Sequence, residues 1–78
     1  MKLQLVSVEW QDAGMTPGWT DSHKAAELRD IVSVGWILYK DKKVLKIAQT
    51  IAPSTANASS YADILCIPRG WIKRIRYL

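Results

Sequence analysis

"IPRGWIKRIRYL", residues 67–78, sets Arg69, Lys73, Arg74 and Arg76 among six strongly apolar side chains. It reads either as a basic tail for nucleic acid or as the last strand of a small barrel that turns its charges to water. Periodicity separates the two. Ile72 and Ile75 lie three apart, which suits a helical turn over 69–73 leading into a strand. From Arg74 onward basic and apolar residues alternate, which predicts Ile75 and Tyr77 inward and Arg74 and Arg76 outward. Pro68 has no N–H for a ladder and Gly70 tolerates unusual dihedrals, so Pro68-Arg69-Gly70-Trp71 is expected to be a sharp turn. The stretch is a turn followed by a closing strand.

The rest of the chain supplies the partners such a strand needs. Residues 2–10 (KLQLVSVEW), 32–40 (VSVGWILYK), 43–52 (KVLKIAQTIA) and 61–67 (YADILCI) are rich in β-branched and aromatic residues and read as strands. In the first, the apolar phase shifts at Leu5-Val6, which predicts a bulge there or burial on both faces. In the third, Leu45, Ile47 and Ile51 are expected on one face and Lys46, Ala48 and Thr50 on a wet one. Gly35 permits a bend or a close backbone approach. Residues 11–20 (QDAGMTPGWT) and 54–60 (STANASS) are loops, and Asp41-Lys42 is a tight turn. Asp21 or Ser22 could cap a short helix over 22–30, with Ala25, Leu28 and Ile31 as its apolar stripe.

The totals fit one small domain. A chain of 78 residues buries only about 60% of its unfolded surface, so its core must use large side chains. With no Phe, four Trp and three Tyr supply them. Hydrophobic residues at 49% and charged residues at 23% exclude a disordered chain. The net charge of +4 comes wholly from the closing stretch, because residues 1–68 hold seven basic and seven acidic side chains. That concentration weakens the usual inference from a basic total to nucleic acid. No apolar run approaches the roughly 20 residues of a membrane span and no signal peptide is visible, so a cytoplasmic protein without membrane contact is expected.

Candidate chemistry is sparse. Asp21-Ser22-His23 holds the residue types of a hydrolase triad, but consecutive residues point apart and cannot relay a proton. His23 is the only histidine, and Asp12 with Asp21 offers too few oxygen ligands for calcium, so no metal site, cofactor or catalytic set is expected. The single Cys66, between Leu65 and Ile67, reads as a buried inert thiol. Trp10 and Trp36 follow the strand alternation and are expected inside. Trp19, after Pro17-Gly18, and Trp71, beside Arg69, have no such pattern and are the candidate binding residues, together with Arg69, Lys73, Arg74 and Arg76. The arginines on one strand face form either a solvated face that discourages edge pairing or an anion site.

The motifs Val8-Glu9-Trp10 with Asp12, Gly18-Trp19 with Asp21, Ser33-Val34-Gly35-Trp36 and, most specifically, "YADILCIPRGWIKRI" resemble a family of short accessory proteins of tailed bacteriophages and prophages. The resemblance covers nearly the whole chain. It implies a small protein acting inside a bacterial cell that binds and inhibits a host enzyme or defence factor, or sequesters a signalling nucleotide. It brings no catalytic residues. A second resemblance is to the closing element of SH3-like and Sm-like barrels. The third strand here lacks the glycine and the Asp/Asn pair by which Sm proteins hold uridine.

These readings converge on a mainly β, five-stranded SH3-like (Sm-like) antiparallel barrel over 1–78, with one inserted helix at 22–30. The expected function is non-enzymatic binding of a host bacterial protein or an anionic nucleotide ligand. A single-stranded nucleic-acid-binding Sm-like or OB-like module is the second reading, and a minor virion structural protein the third. Homo-oligomers through the last strand are open.

Overall fold

The computed structural model describes residues 3–15, 17–53 and 60–78. The expected polar loop 54–60 lies, apart from Ser60, outside the described residues. Among the described residues five strands follow one another: β1 (Leu5–Asp12), β2 (Arg29–Lys40), β3 (Val44–Ala52), β4 (Ser60–Pro68) and β5 (Ile72–Tyr77), with a 3-10 turn, Arg69–Trp71, before the last. They form one antiparallel sheet in the order β4-β3-β2-β1-β5.

The strands form where alternation can bury one face. In β1, Val6, Val8 and Trp10 are buried, while Leu5, Ser7 and Glu9 between them are partly exposed. The period is clean, so the bulge expected at Leu5-Val6 does not occur. The irregularity of β1 lies at Glu9/Trp10 against β5, where Glu9 pairs with Arg74 and Trp10 with Ile72, leaving Lys73 as the extra residue.

The helix expected over 22–30 is absent. Arg29 and Asp30 instead extend β2 and pair with Asp12 and Gln11. Ala26 has a φ of 51°, a left-handed value that no α-helix accommodates. Ser22 does act locally, its Oγ accepting the Lys24 N–H at 3.3 Å. A nine-residue helix has too few internal bonds to resist this competition from strand pairing.

The expected closed barrel is also corrected, because the sheet does not close: β5 pairs with β1, and no ladder joins it to β4. Yet the sheet cannot be flat. Four strand spacings from β4 to β5 would span about 19 Å, whereas the four steps from Pro68 to Ile72 reach at most about 14 Å. The sheet curls so that the 3-10 turn can bridge it. One end of that turn is tied to the β2–β3 hairpin by the Arg69 N–H to the Lys43 carbonyl, 2.8 Å. At the other end Trp71 stacks on Trp10, ring centroids 6.3 Å apart and 14° between planes.

Inside the curl, Val6, Val8, Trp10, Leu45, Ile47 and Ile67 form the core, with Ile31, Ile37, Leu65, Ile72 and Ile75 packed around them. The Trp10 indole N–H donates to the buried Ser33 hydroxyl at 3.1 Å, so its burial leaves no polar atom unsatisfied.

Three side chains depart from the alternation-based expectation. Trp36 pairs with Leu5, one residue out of phase with Val6, and so lies half-buried on the face opposite Trp10. Ala48, placed on the wet face by alternation, is fully buried. Tyr77 pairs with Val6 and shares its face, but stays 56% exposed because β5 is an edge strand with nothing beyond it.

The β2–β3 turn substitutes aspartate for the usual Asn-Gly. The Asp41 carboxylate accepts the N–H groups of Lys43 (2.7 Å) and Val44 (2.8 Å) and the Tyr39 hydroxyl (2.8 Å). The Val44 N–H, then Tyr39, then the Lys43 N–H hold its carboxyl below the ordinary carboxylate range. Because the folded pKa is depressed, this contribution to stability is fully present above the unfolded pKa and is lost as pH falls through the folded one. Asp41→Asn is therefore expected to lower the thermal midpoint at neutral pH. The gap to wild type should shrink as pH drops below about 4, which calorimetry over an acid series checks.

Among the described residues, no helix is long and apolar enough to cross a membrane.

Candidate functional site

The six residues singled out from the sequence do not form one site. Arg69 is committed to the fold: its Nε donates to the Asp41 carbonyl at 2.9 Å, closing the base of the hairpin turn. Lys73 reaches Asp30 at 3.7 Å and Arg74 reaches Glu9 at 3.8 Å, both across solvent-exposed faces. Such exposed pairs contribute little to stability, and they set an acidic side chain beside each of these two basic ones. Of these four basic residues, Arg76 is the one for which no hydrogen bond or ion pair is found. The positive patch is thus divided along the edge of β5 rather than gathered into a pocket.

Trp71 has a packing role. Its ring stacks on Trp10, the largest side chain of the core, and the residue stays 43% exposed. Trp19 is the opposite case. It stands fully exposed in the β1–β2 connection, residues 13–28. Met15 and Leu28, on the same connection, are exposed as well.

This connection is closed at its base. Asp12 pairs with Arg29, and its carboxylate accepts the Ala13 N–H at 2.8 Å. One residue further, Gly14 lies so close to the Glu27 backbone that a Cβ there would overlap the Glu27 carbonyl. Glycine is the residue that fits. An open hollow of about 440 Å³ follows, lined by Gly14, Met15, Lys24, Glu27, Leu28 and Arg29. The result is a loop whose ends approach closely, with Met15 and Leu28 exposed beside the neck and Trp19 exposed farther along the connection. The tied neck was not legible in the sequence, because it depends on which residue sits opposite Gly14.

Asp21, Ser22 and His23 are exposed on this loop. Among the described residues, no group of three or more His, Cys, Asp or Glu comes together as a metal site. Cys66 corrects an expectation: it is exposed rather than buried, because Leu65 and Ile67 on either side of it take the core face.

The chain matches no protein-family model, no curated protein and no solved structure.

Proposed function

We propose that this chain is a non-enzymatic binding protein whose contact element is the Trp19 loop, and that its partner is a protein. The carrying observation is Trp19 itself, fully exposed on a loop tied at Gly14 and Glu27. A bare indole costs solvation and contributes nothing to the core, whereas tryptophan on a tethered loop loses little entropy on docking and is the side chain most enriched at binding hot spots. The division of Arg69, Lys73 and Arg74 among internal partners favours a protein surface over a phosphate ligand. The resemblance to phage accessory proteins supports a bacterial host factor as the partner and the bacterial cytoplasm as the place. The finer fold reading, an SH3-like (Sm-like) arrangement left open between β4 and β5, is supported by the strand order and by the 3-10 turn ahead of the last strand.

Two measurements on Trp19→Ala test this. Iodide should quench the wild-type indole emission strongly, and the variant should lose that accessible fraction while keeping its unfolding midpoint. In bacterial lysate, the immobilised wild type should retain a protein that the variant releases. Equal retention by both overturns the assignment. Oligonucleotide binding that weakens steeply with salt would replace it with the nucleic-acid reading.

A further inference from the structure

We infer that β5 is an augmentation edge, along which an acidic extended segment of a partner protein docks as a further strand of the sheet. Of the two outer strands, β5 is the regular one. β4 carries Asp63 at a φ of 57° and ends in Pro68, whereas Ile72–Tyr77 contains neither a left-handed residue nor a proline. From Glu9/Arg74 to Val6/Tyr77 the β1–β5 register runs without a break. The Leu78 N–H donates to the Leu5 carbonyl at 2.9 Å. Antiparallel alternation then turns the backbone N–H and C=O groups of Arg74 and Arg76 toward β1, and those of Ile75 and Tyr77 toward the open side. An extended chain laid there meets the donors and acceptors that a strand needs.

The side chains of this edge specify the occupant. The net charge of +4 is carried by Arg69, Lys73, Arg74 and Arg76, because residues 1–68 are balanced. The excess charge therefore lies on β5 and the turn that leads into it. On the outer face of β5, Arg74 has Glu9 across the β1 ladder, while Arg76 has Ser7, which offers it no charge. Two residues apart on one strand, these arginines stand about 7 Å apart, the spacing at which a neighbouring strand presents its own alternate side chains. On the inner face, Ile75 and Tyr77 pair with the fully buried Val8 and Val6, yet Tyr77 stays 56% exposed toward the open side. The complement is a segment that alternates acidic residues, set against the arginines, with apolar residues that cover Tyr77 and Ile75. The same charges turn away a second copy, since two β5 strands side by side would set arginine against arginine. A nucleic-acid strand would match the arginines but not the alternating backbone groups. The inference does not rest on Trp19, which lies on the β1–β2 connection, outside this edge.

The test is an amide-resolved NMR titration of the full chain with a short peptide that alternates glutamate and valine. Binding is expected to shift the β5 amides and to slow hydrogen exchange at Ile75 and Tyr77 more than at Arg74 and Arg76, whose N–H groups already face β1. The same peptide with lysine in place of glutamate should not bind, nor should one with proline in place of valine, which lacks the N–H groups. Arg76→Glu, at an exposed position, should weaken the glutamate peptide about tenfold and leave the circular dichroism spectrum unchanged. Should that variant perturb the fold, Arg76→Ala removes the charge without reversing it and should weaken the peptide about threefold. Trp19→Ala should bind the peptide as wild type does, so failure here and failure of the Trp19 assignment are read separately. The absence of any shift along β5 overturns the inference. So does equal binding of the lysine peptide, undiminished binding by folded Arg76→Glu, or an oligonucleotide that shifts the β5 amides where the glutamate peptide does not.

Discussion

Trp10→Ala is expected to be strongly destabilising, with a denaturation midpoint far below that of wild type. The residue is 8% exposed, donates its indole N–H to Ser33 and carries Trp71 on its face. Truncating a buried tryptophan typically costs about 3–5 kcal/mol. A domain of this length has about 4–12 kcal/mol in total, at roughly 0.05–0.15 kcal/mol per residue. With so few buried side chains, the neighbours cannot collapse into the space. Trp71 would also lose its stacking partner, and with it the contact that ties the 3-10 turn to β1. Denaturant titration followed by far-ultraviolet circular dichroism would show the loss. A midpoint close to wild type would mean that the curl does not depend on this residue. Trp19→Ala is the internal control, since the same change at a fully exposed site should leave the midpoint alone.

Gly35→Val should be strongly destabilising, although strand propensity alone predicts the opposite. Valine is favoured over glycine in strands on a scale of about 1 kcal/mol. At this position, however, a Cβ would lie 2.7 Å from the Ala48 carbonyl oxygen and 3.2 Å from the Ile47 Cβ. Neither neighbour can move freely, because Ile47 is fully buried in the core and Ala48 is held in the ladder between Trp36 and Ile64. Overpacking of this kind costs about 1–3 kcal/mol, and the two γ-methyls add to it, so sterics outweigh propensity. β2 has its ladder irregularity two residues on, between Ile37 and Tyr39, so a substitution at Gly35 also acts on the segment where the sheet bends. Chemical denaturation decides the sign: a variant as stable as wild type or more so would show that the approach of β2 to Ala48 is not tight.

The strands were readable in the sequence because strand formation is a local matter of β-branched residues at period two. Val6, Val8 and Trp10, or Leu45 and Ile47, announce a buried face wherever they are placed. The turn at Pro68–Trp71 was equally readable, since proline and glycine act on their own backbone. The helix over 22–30 failed because a short amphipathic pattern competes with pairing partners that the pattern does not contain. Trp36 and Cys66 failed for a related reason. Alternation says that neighbours point to opposite faces, but not which face the tertiary fold covers.

By itself, then, the sequence determined a mainly β chain, the position of its strand-linking turns and the concentration of its net charge in the last segment, all properties of local covalent chemistry. Only the tertiary structure decided the rest. It showed that the sheet curls without closing, that Arg69 hydrogen-bonds the Asp41 backbone carbonyl, and that Lys73 and Arg74 lie beside Asp30 and Glu9. It also left Trp19 bare on the β1–β2 connection. Those outcomes depend on which strands lie side by side, and adjacency in space is set by the balance of burial and strand pairing over the whole chain.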